Sequence, residues 1–284
     1  MGIILNQLLK TTIIQIKGFF IKNKNLRKRW KRFATNIIIK EIVSKNKWGV
    51  SYSVFDSEEL LEYSIKAIRN QVDYVNVVYQ LESWYGNPAN DTLLPLLYSL
   101  KEKGLIDEII EYEPNPSIKS LKQERNKRNI GLKYAKKAGV NYFMTMDCDE
   151  FYIEKEVERA KEFIIKNGIT HSYVDIFNYY SPTLRYLTPT YSYVNFFSKI
   201  KKYSKLTSHN SKTITLIDPT RKISDFWSSK YYFLPRIAMH HMTYYRKDII
   251  SKIMNSTGRD FIKSIPEPYN CVEVPDLFSI NGIF

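Results

Sequence analysis

Three carboxylates fall within four residues in the middle of the chain: Asp147, Asp149 and Glu150. Carboxylates this close repel one another unless a proton or a cation lies between them. A hard divalent ion with oxygen ligands, Mg²⁺ or Mn²⁺, suits such a group, above all when the ion also binds a diphosphate. The same residues also suit a solvated turn, because Asp is common in turns, so the triplet alone leaves both interpretations open.

The residues before the carboxylates predict how they are positioned. Tyr142–Met146 is a short apolar run without polar alternation, which is typical of a strand buried on both faces of a parallel sheet. Ligands of open α/β sheets bind outside the carboxyl ends of such strands, so this strand would deliver its acids to a site. Continued strand alternation would place Asp147 and Asp149 on one side, with Cys148 facing the other.

Strands alternate with helices along the first half of the chain. Strands are predicted at residues 49–55, 74–79 and 107–112, and helices at about 60–68, 92–103 and 117–137. This alternation is typical of βαβ units. The predicted fold is therefore α/β, with a mostly parallel central sheet flanked by helices.

A segment of the predicted helix at 117–137 and the acidic motif after the next strand together resemble the motifs of a known family. Lys127-Arg128-Asn129-Ile130-Gly131, a helical run to Gly139, the strand, and then Asp-Cys-Asp-Glu-Phe-Tyr at 147–152 resemble nucleotide-sugar glycosyltransferases of the GT-A fold. The resemblance is to family 2-like bacterial enzymes that build surface polysaccharide, in which an Arg-Asn-x-Gly segment precedes an Asp-x-Asp motif at about this spacing. It extends over residues 48–255 and implies a GT-A (Rossmann-like) catalytic domain.

The resemblance assigns donor-binding roles to residues near the ends of the predicted strands. The loop after the first strand would contact the nucleotide base and ribose, although Asp56 also fits a simple helix N-cap. Arg128 would face the diphosphate, since a guanidinium donates hydrogen bonds in a fixed fork. Gln80 stands where many family members have an Asp, which leaves the base open, with a UDP-sugar favoured. The implied nucleotide-sugar-binding residues are Phe55, Asp56, Gln80, Arg128, Asn129 and Asp147.

The resemblance also implies a divalent metal, Mn²⁺ or Mg²⁺, that binds the donor diphosphate. Asp149 is the implied metal ligand, and Asp147 would act with it directly or through ribose or water. In several such families a late histidine supplies another ligand, and here His240 and His241 are adjacent on a strand predicted at 235–244. Successive side chains of a strand point to opposite faces, so only one of the two can face the site, and the sequence does not choose between them.

The implied reaction transfers a sugar from a nucleotide-diphosphate sugar to a hydroxyl of a glycan or glycolipid. An inverting enzyme needs a carboxylate that deprotonates this hydroxyl. The candidates are Asp175, Glu150 and Asp225, with Asp175 preferred because it lies on the strand after the metal loop. A retaining enzyme needs no such base, and the resemblance favours inversion. The products would be lipopolysaccharide, lipooligosaccharide or capsule, which implies a cytoplasmic enzyme at the inner face of the cytoplasmic membrane.

The net charge of +14 is concentrated at the N-terminus. Residues 1–47 carry twelve Lys or Arg and one acid, whereas the remaining 237 residues carry 31 basic and 28 acidic side chains. Residues 3–21 have apolar positions at roughly helical spacing, and the basic run Lys22–Arg32 follows. We therefore predict a basic amphipathic helical extension at 1–47 that binds an anionic membrane surface through residues 1–32. Packing of this helix on the body, with a solvated basic face, is the alternative.

The predicted catalytic domain covers residues 48–284, with a nucleotide-binding half at about 48–152 and an acceptor half at about 153–284. Cys148 and Cys271 give no disulfide framework and fit a reducing compartment. We expect neither a secretory signal nor a membrane-spanning helix, because polar residues interrupt the apolar runs. Nucleic-acid binding is disfavoured because the body has little excess positive charge.

Two alternatives to a glycosyltransferase stay open. One is a non-catalytic basic adaptor on an α/β scaffold that binds a membrane or a nucleic acid; its binding would fall steeply with salt. The other is a nucleotidyltransferase. That class usually has a glycine-rich phosphate loop after its first strand, and residues 53–57 contain no glycine, which counts against it.

Overall fold

The structure is a computed structural model that describes most of the chain. The described residues are 21, 23–56, 58–181, 183–186, 193–208, 217–224, 229–242, 244–245, 247–255 and 271–273. Apart from its last residue, the amphipathic stretch predicted over residues 3–21 lies outside these residues, as does the candidate base Asp225, so the structure tests neither prediction.

Six helices and ten strands are present in the described part of the chain. The helices are α1 (Lys24–Lys45), α2 (Glu58–Arg69), α3 (Leu93–Glu102), α4 (Ser120–Lys137), α5 (Glu154–Asn167) and α6 (Ile249–Asn255). The strands are β1 (Trp48–Val54), β2 (Tyr74–Tyr79), β3 (Glu108–Glu111), β4 (Tyr142–Asp147), β5 (Glu150–Phe151), β6 (His171–Ser181), β7 (Leu184–Tyr186), β8 (Tyr193–Lys199), β9 (Tyr231–His241) and β10 (Cys271–Glu273). The elements predicted in the first half of the chain agree with these bounds to within three residues.

Strands β1 to β4 form the parallel part of the sheet. β1 pairs with β2 on one side and with β4 on the other, and β2 pairs with β3, all in parallel. β1 and β2 are buried along almost their whole length, as expected for parallel strands that helices cover on both faces. The prediction of an α/β fold with a parallel sheet flanked by helices is confirmed in this half.

The second half of the sheet is largely antiparallel, a feature that the sequence pattern does not show. β8 pairs antiparallel with both β4 and β6, whereas β6 and β9 are parallel. The two-residue strand β5 pairs antiparallel with the end of β9, so Glu150 lies opposite His241 and Phe151 lies opposite His240. This short ladder brings the two late histidines to the acidic loop that follows β4.

Helix α4 lies directly against the parallel strands, and Gly131 makes this close approach possible. A Cβ atom at Gly131 would collide with Ser51 Oγ on β1, and Gly131 O accepts a hydrogen bond of 3.0 Å from Asn76 Nδ2 on β2. The same face of α4 carries Lys127 and Arg128, which are both almost fully buried. The glycine of the Arg-Asn-x-Gly segment therefore sets the depth at which Arg128 enters the sheet edge.

Helix α1 is attached to the body near its C-terminal end. Trp48 Nε1, at the start of β1, donates a hydrogen bond of 3.1 Å to Val43 O, and Lys40 Nζ lies 3.8 Å from carboxylate oxygens of Glu158 and Glu162 on α5. Among the helices that the structure describes, none combines the length and the apolar character that crossing a membrane requires.

Candidate active site

Asp147, the last residue of β4, is held between two arginines. Nη2 of Arg128, from α4, lies 3.0 Å from both carboxylate oxygens, and Nη2 of Arg221 donates to Oδ2 over 2.8 Å. Burial by itself would raise the pKa of Asp147, but the charges of Arg128 and Arg221 outweigh this effect and lower it. Asp147 is therefore ionised and fixed in place by cations of the protein itself.

Arg221 is the centre of this cluster, and it is not among the residues predicted from the sequence. Its guanidinium forms a bidentate pair with Glu150, with distances of 2.8 Å for Nη1–Oε2 and 2.5 Å for Nη2–Oε1. Its Nε lies 2.9 Å from Asp218 Oδ2. Thr220 N donates to Asp218 Oδ1 over 2.7 Å, and this turn directs the next residue, Arg221, inward. In the sequence, the only local sign that Arg221 turns inward is Asp218, which precedes Thr220 and Arg221 in the turn Asp-Pro-Thr-Arg.

Glu150 has a positioning role in the structure. Its side chain is 1% exposed, its carboxylate pairs with Arg221, and its Oε2 accepts a hydrogen bond of 3.0 Å from Asp147 N. Burial raises the pKa of Glu150, although the charge of Arg221 acts in the opposite direction. A carboxylate enclosed in this way cannot reach an acceptor hydroxyl. These contacts fix the loop after β4 and do not favour Glu150 as the general base, a role that stays a prediction.

Asp149 contacts a different set of basic groups. Lys252 Nζ, from α6, lies 2.7 Å from Asp149 Oδ2, and His241 Nε2 lies 3.3 Å from the same oxygen. The backbone is held as well, because Met242 N donates to Asp149 O over 2.8 Å. β4 ends at Asp147 and the next two residues form a turn, so strand alternation does not continue to Asp149. Asp147 and Asp149 pair with different cations, while Cys148 between them is buried in the core. That both carboxylates share one side stays a prediction.

The structure distinguishes between the two adjacent histidines. His241 faces the acidic loop, where its Nε2 lies beside Asp149. His240 is buried, and its Nδ1 lies 2.7 Å from the hydroxyl oxygen of Tyr179 on β6. Because the β5–β9 pairing fixes this register, His241 is the histidine that can serve the site and His240 belongs to the core behind it.

Asp149 and His241 fit part of a metal site. Within the described residues, no group of three or more His, Cys, Asp and Glu side chains could hold a metal ion. The pair nevertheless combines a carboxylate oxygen with an imidazole nitrogen 3.3 Å away, a donor set that Mn²⁺ accepts, and the ammonium of Lys252 already lies at this oxygen as a cation. A divalent ion bound there would take two protein ligands and would need phosphate oxygens and water for the rest.

Two of the predicted nucleotide-binding residues make contacts inside the protein. Gln80, fully buried after β2, donates from Nε2 to a backbone carbonyl two residues ahead over 2.7 Å. Asn129 Nδ2 donates to Leu206 O over 3.0 Å, and Asn129 Oδ1 accepts from Leu206 N over 2.8 Å. Both side chains therefore fix neighbouring loops. Phe55 and Asp56 directly follow β1 and are half-buried, and their contact with a nucleotide stays a prediction.

Lys127, on the buried face of α4, is a further residue that the sequence pattern does not reveal. Its Nζ donates to Val54 O over 2.7 Å and to Gln80 Oε1 over 2.9 Å, and it lies 5.7 Å from the centre of the Trp84 ring. Burial lowers the pKa of Lys127 from 10.5 to about 7, although the nearby charge of Asp147 acts in the opposite direction. Lys127 thus joins the carboxyl ends of β1 and β2 below the predicted base-binding loop.

We expect the low pKa of Lys127 to appear as a pH-dependent stability. Between about pH 7 and 10.5 the unfolded chain binds a proton at this side chain more fully than the folded protein, so the free energy of unfolding rises with pH. The contribution approaches about 1.4 kcal/mol per pH unit in this window. Urea denaturation at about pH 7.5 and 9 should show that Lys127→Met loses this slope, whereas Lys133→Met, exposed on the same helix, keeps it. Equal slopes in both variants would mean that Lys127 is not desolvated.

Asp175, the preferred general base, lies on β6 and is exposed. In the parallel register of β6 and β9, Asp175 pairs with Ala238, whereas Asn178 pairs with His241. Three residues along a strand correspond to roughly 10 Å, so Asp175 lies about that far along the sheet from the position beside His241. Strand alternation also points Asp175 to the opposite face of the sheet from Asn178 and His241, because three residues separate Asp175 from Asn178. This geometry does not favour Asp175 as the base, and the role stays a prediction.

No protein-family model matches the chain, and no curated protein matches it in sequence. Solved structures similar to it include S. aureus TarS 1–349 in complex with UDP, at 16% identity and a TM-score of 0.35, over 46% of this chain and 36% of that chain. TarS 1–349 in complex with UDP-GlcNAc is 18% identical, with a TM-score of 0.34, over 46% of this chain and 35% of that chain. GalNAc-T7 with UDP, GalNAc and Mn²⁺ is 12% identical, with a TM-score of 0.41, over 69% of this chain and 44% of that chain. The chain spans less than half the length of these structures, and similarities of this size assign neither an activity nor a ligand to it.

Proposed function

We propose that the protein is a glycosyltransferase of the GT-A type that transfers a sugar from a nucleotide-diphosphate sugar, with a UDP-sugar favoured, to a hydroxyl of a glycan or glycolipid. The observation that carries the proposal is the environment of Asp149. This carboxylate follows the carboxyl end of a parallel strand, and it holds the ammonium of Lys252 with His241 beside it. Ligands of α/β sheets bind at this edge, and a cation held there can stabilise a diphosphate leaving group.

The charged residues divide into a fixed part and an adaptable part. In the fixed part, Arg128 pairs with Asp147 and Glu124, and Arg221 pairs with Asp147 and Glu150. Both guanidinium groups and Glu150 are almost fully buried. Arg128 keeps one unused donor, because its Nη1 is buried and has no hydrogen-bond partner among the described residues. The side chain of Arg128 is 1% exposed, as is that of Glu150, so the predicted contact of Arg128 with a phosphate oxygen stays a prediction.

The adaptable part consists of Asp149, His241 and Lys252. We place Mn²⁺ or Mg²⁺ at Asp149 and His241, where the ion would stabilise the negative charge of the leaving diphosphate. Lys252 would leave Asp149 and donate to the diphosphate, which α6 permits because this seven-residue helix has no fully buried residue. Asp175 is the proposed base of an inverting reaction, and Glu150 is not, because Arg221 encloses it.

We expect Lys252→Ala to strengthen Mn²⁺ binding roughly threefold to tenfold, because it removes a cation that competes for Asp149 Oδ2. The concentration of free Mn²⁺, followed by electron paramagnetic resonance, gives the affinity without any assay of activity. Lys155→Ala, an exposed lysine on α5, is the matched control and should leave the affinity unchanged. Unchanged or weaker Mn²⁺ binding in Lys252→Ala would mean that the metal does not bind where the ammonium lies.

The proposed function is tested by incubating the protein with UDP-glucose, UDP-galactose, UDP-N-acetylglucosamine and GDP-mannose in the presence of Mn²⁺. Even without an acceptor, a glycosyltransferase slowly transfers its sugar to water, so release of nucleoside diphosphate from one donor is expected. Asp149→Asn should abolish the release. No release from any donor, together with no metal-dependent nucleotide binding, would overturn the proposal.

A further inference from the structure

We propose that α1 docks the protein on an anionic membrane surface through a row of exposed apolar side chains. This row, the α1 stripe, consists of Leu26, Phe33 and Ile37, which are 53%, 59% and 51% exposed. At about 100° per residue, the three side chains fall within a sector of roughly 40° on the helix. Phe33 and Ile37 lie after the basic run Lys22–Arg32, so the α1 stripe extends beyond that run. The proposal does not depend on the transferase activity.

Among the described residues, the packing of α1 leaves the stripe uncovered, while the helix itself is held in place. Ala34 and Ile39 are buried, and near its C-terminal end the helix is attached to the body through Lys40, which contacts two glutamates of α5. The stripe therefore belongs to an anchored helix and does not result from a poorly packed segment. Single exposed apolar residues are common, but aligned ones of this size indicate a surface that another partner covers.

The charges on the other faces of the same helix end select the partner. Five exposed cations lie in the first nine residues of the helix: Lys24, Lys28, Arg29, Lys31 and Arg32. The single acid of α1, Glu41, lies far from them in the sequence and is paired with Lys45 at 2.7 Å. The basic end of α1 therefore keeps its positive charge, which complements the negative headgroups of an anionic lipid surface.

A lipid surface is the partner that uses both properties of α1. The cations meet phosphate groups, while the apolar side chains enter the boundary between headgroups and acyl chains, so the helix lies in the plane of the membrane. A nucleic acid would use the cations, but its phosphate backbone would leave Leu26, Phe33 and Ile37 in water. The exposed apolar row therefore favours the membrane over a nucleic acid.

Co-sedimentation of the full chain with lipid vesicles tests the proposal. The vesicles contain phosphatidylcholine alone or with about 30% phosphatidylglycerol, at about 0.05 M and 0.5 M salt. The wild type should bind the anionic vesicles and lose most of this binding at high salt. Leu26→Ser, Phe33→Ser and Ile37→Ser combined should lower the partition coefficient at least about tenfold without unfolding the protein, because the three side chains are already exposed.

Two matched controls distinguish binding through α1 from non-specific binding through other exposed apolar or charged side chains. For the apolar control, three exposed side chains elsewhere on the body are changed together, Tyr98→Ser, Leu121→Ser and Tyr203→Ser, with no expected effect. For the charge, four cations of α1 are replaced by Gln: Lys28, Arg29, Lys31 and Arg32. Four exposed lysines of the body receive the same change: Lys199, Lys201, Lys202 and Lys205. Only the substitutions in α1 should lower binding to anionic vesicles.

Each other outcome would overturn the proposal. Binding that the triple Ser variant retains would mean that the α1 stripe does not touch lipid. Absence of vesicle binding by the wild type, with a single-stranded oligonucleotide bound through the α1 cations instead, would assign the helix to nucleic acid. A dimer in sedimentation velocity that the triple Ser variant loses, without any vesicle binding, would show that a second copy of the chain covers the stripe.

Discussion

Replacing Arg221 by Met is expected to lower the free energy of unfolding by about 3–5 kcal/mol at neutral pH. The variant keeps an apolar side chain in place of the buried stem and removes the guanidinium that pairs with Glu150, Asp147 and Asp218. A buried ion pair stabilises a fold only modestly, but removing one partner leaves a desolvated charge without compensation. Urea denaturation of the wild type and of Arg221→Met at about pH 7.5 measures the difference.

The loss caused by Arg221→Met should be smaller at low pH. Without Arg221, the main influences that lower the pKa of Glu150 are lost, while burial and the charge of Asp147 still raise it, so its folded-state pKa lies further above the ordinary value of 4.5. A group with a raised folded pKa stabilises the fold below the unfolded pKa, and this contribution is lost as the pH rises through the folded pKa. The stability of Arg221→Met should therefore fall as the pH is raised from about 5 to 7.5. Adding Glu150→Gln should recover part of the stability at pH 7.5, because it removes the unpaired charge.

Arg159→Met is the matched control for this prediction, since Arg159 is exposed on α5 and its Nε donates only to Lys155 O in its own helix. Its effect should stay within about 0.5 kcal/mol. If Arg221→Met also stayed within about 1 kcal/mol of the wild type at pH 7.5, Arg221 would not be the counter-ion that holds the acidic loop together.

Asp149→Asn is expected to lower kcat/KM for sugar transfer at least about 100-fold while the fold is retained. The substitution keeps the shape of the side chain and removes the negative charge that holds Lys252 and that, with His241, would hold the metal. The cation would then no longer be held where negative charge develops on the leaving diphosphate. Steady-state kinetics with the donor found in the release assay measure the effect, and a melting temperature near that of the wild type shows that the fold is intact.

Asp91→Asn, in the exposed loop before α3, is the control and should retain wild-type activity.

Asp175→Asn in the same assay tests the proposed base, because a loss in kcat with unchanged donor binding is the expected result for a residue that deprotonates the acceptor. Activity of Asp149→Asn within about threefold of the wild type would contradict the assignment of Asp149 to the donor site.

The parallel half of the sheet is predictable from local patterns. Tyr74–Tyr79 is mostly apolar, which indicates a buried strand. Helix α5 ends at Asn167 because Gly168 adopts φ 59°, a left-handed conformation that favours glycine. The antiparallel half is not predictable in this way. β5 has only two residues, and its pairing with β9 joins segments far apart in the chain, so no periodicity reveals it.

The candidate site shows the same limit at the level of single residues. Asp147 and Asp149 could be predicted as candidate site residues because they end or directly follow a buried strand, but their partners could not be predicted. Arg221 and Lys252 come from distant segments, and a sequence shows that they are cationic without showing which carboxylate each one meets. Lys127 looks like one more solvated lysine in a lysine-rich helix until the packing of α4 shows that it is buried.

The choice between His240 and His241 also needed the three-dimensional structure. Strand alternation predicts that only one of the pair faces the site, and the β5–β9 register, which brings His241 to Asp149, decides which one. β4 ends at Asp147, so alternation along the strand does not determine the direction of Asp149, whose partners Lys252 and His241 only the structure reveals.

Calorimetric binding of UDP, GDP and CDP, each with and without Mn²⁺, to the wild type and to Asp149→Asn tests the donor site most directly. We predict that one nucleotide, with UDP favoured, binds the wild type only when Mn²⁺ is present, and that Asp149→Asn weakens this binding at least about tenfold. Failure of all three nucleotides to bind with Mn²⁺ present, or equal binding by the wild type and Asp149→Asn, would contradict a donor site at this loop.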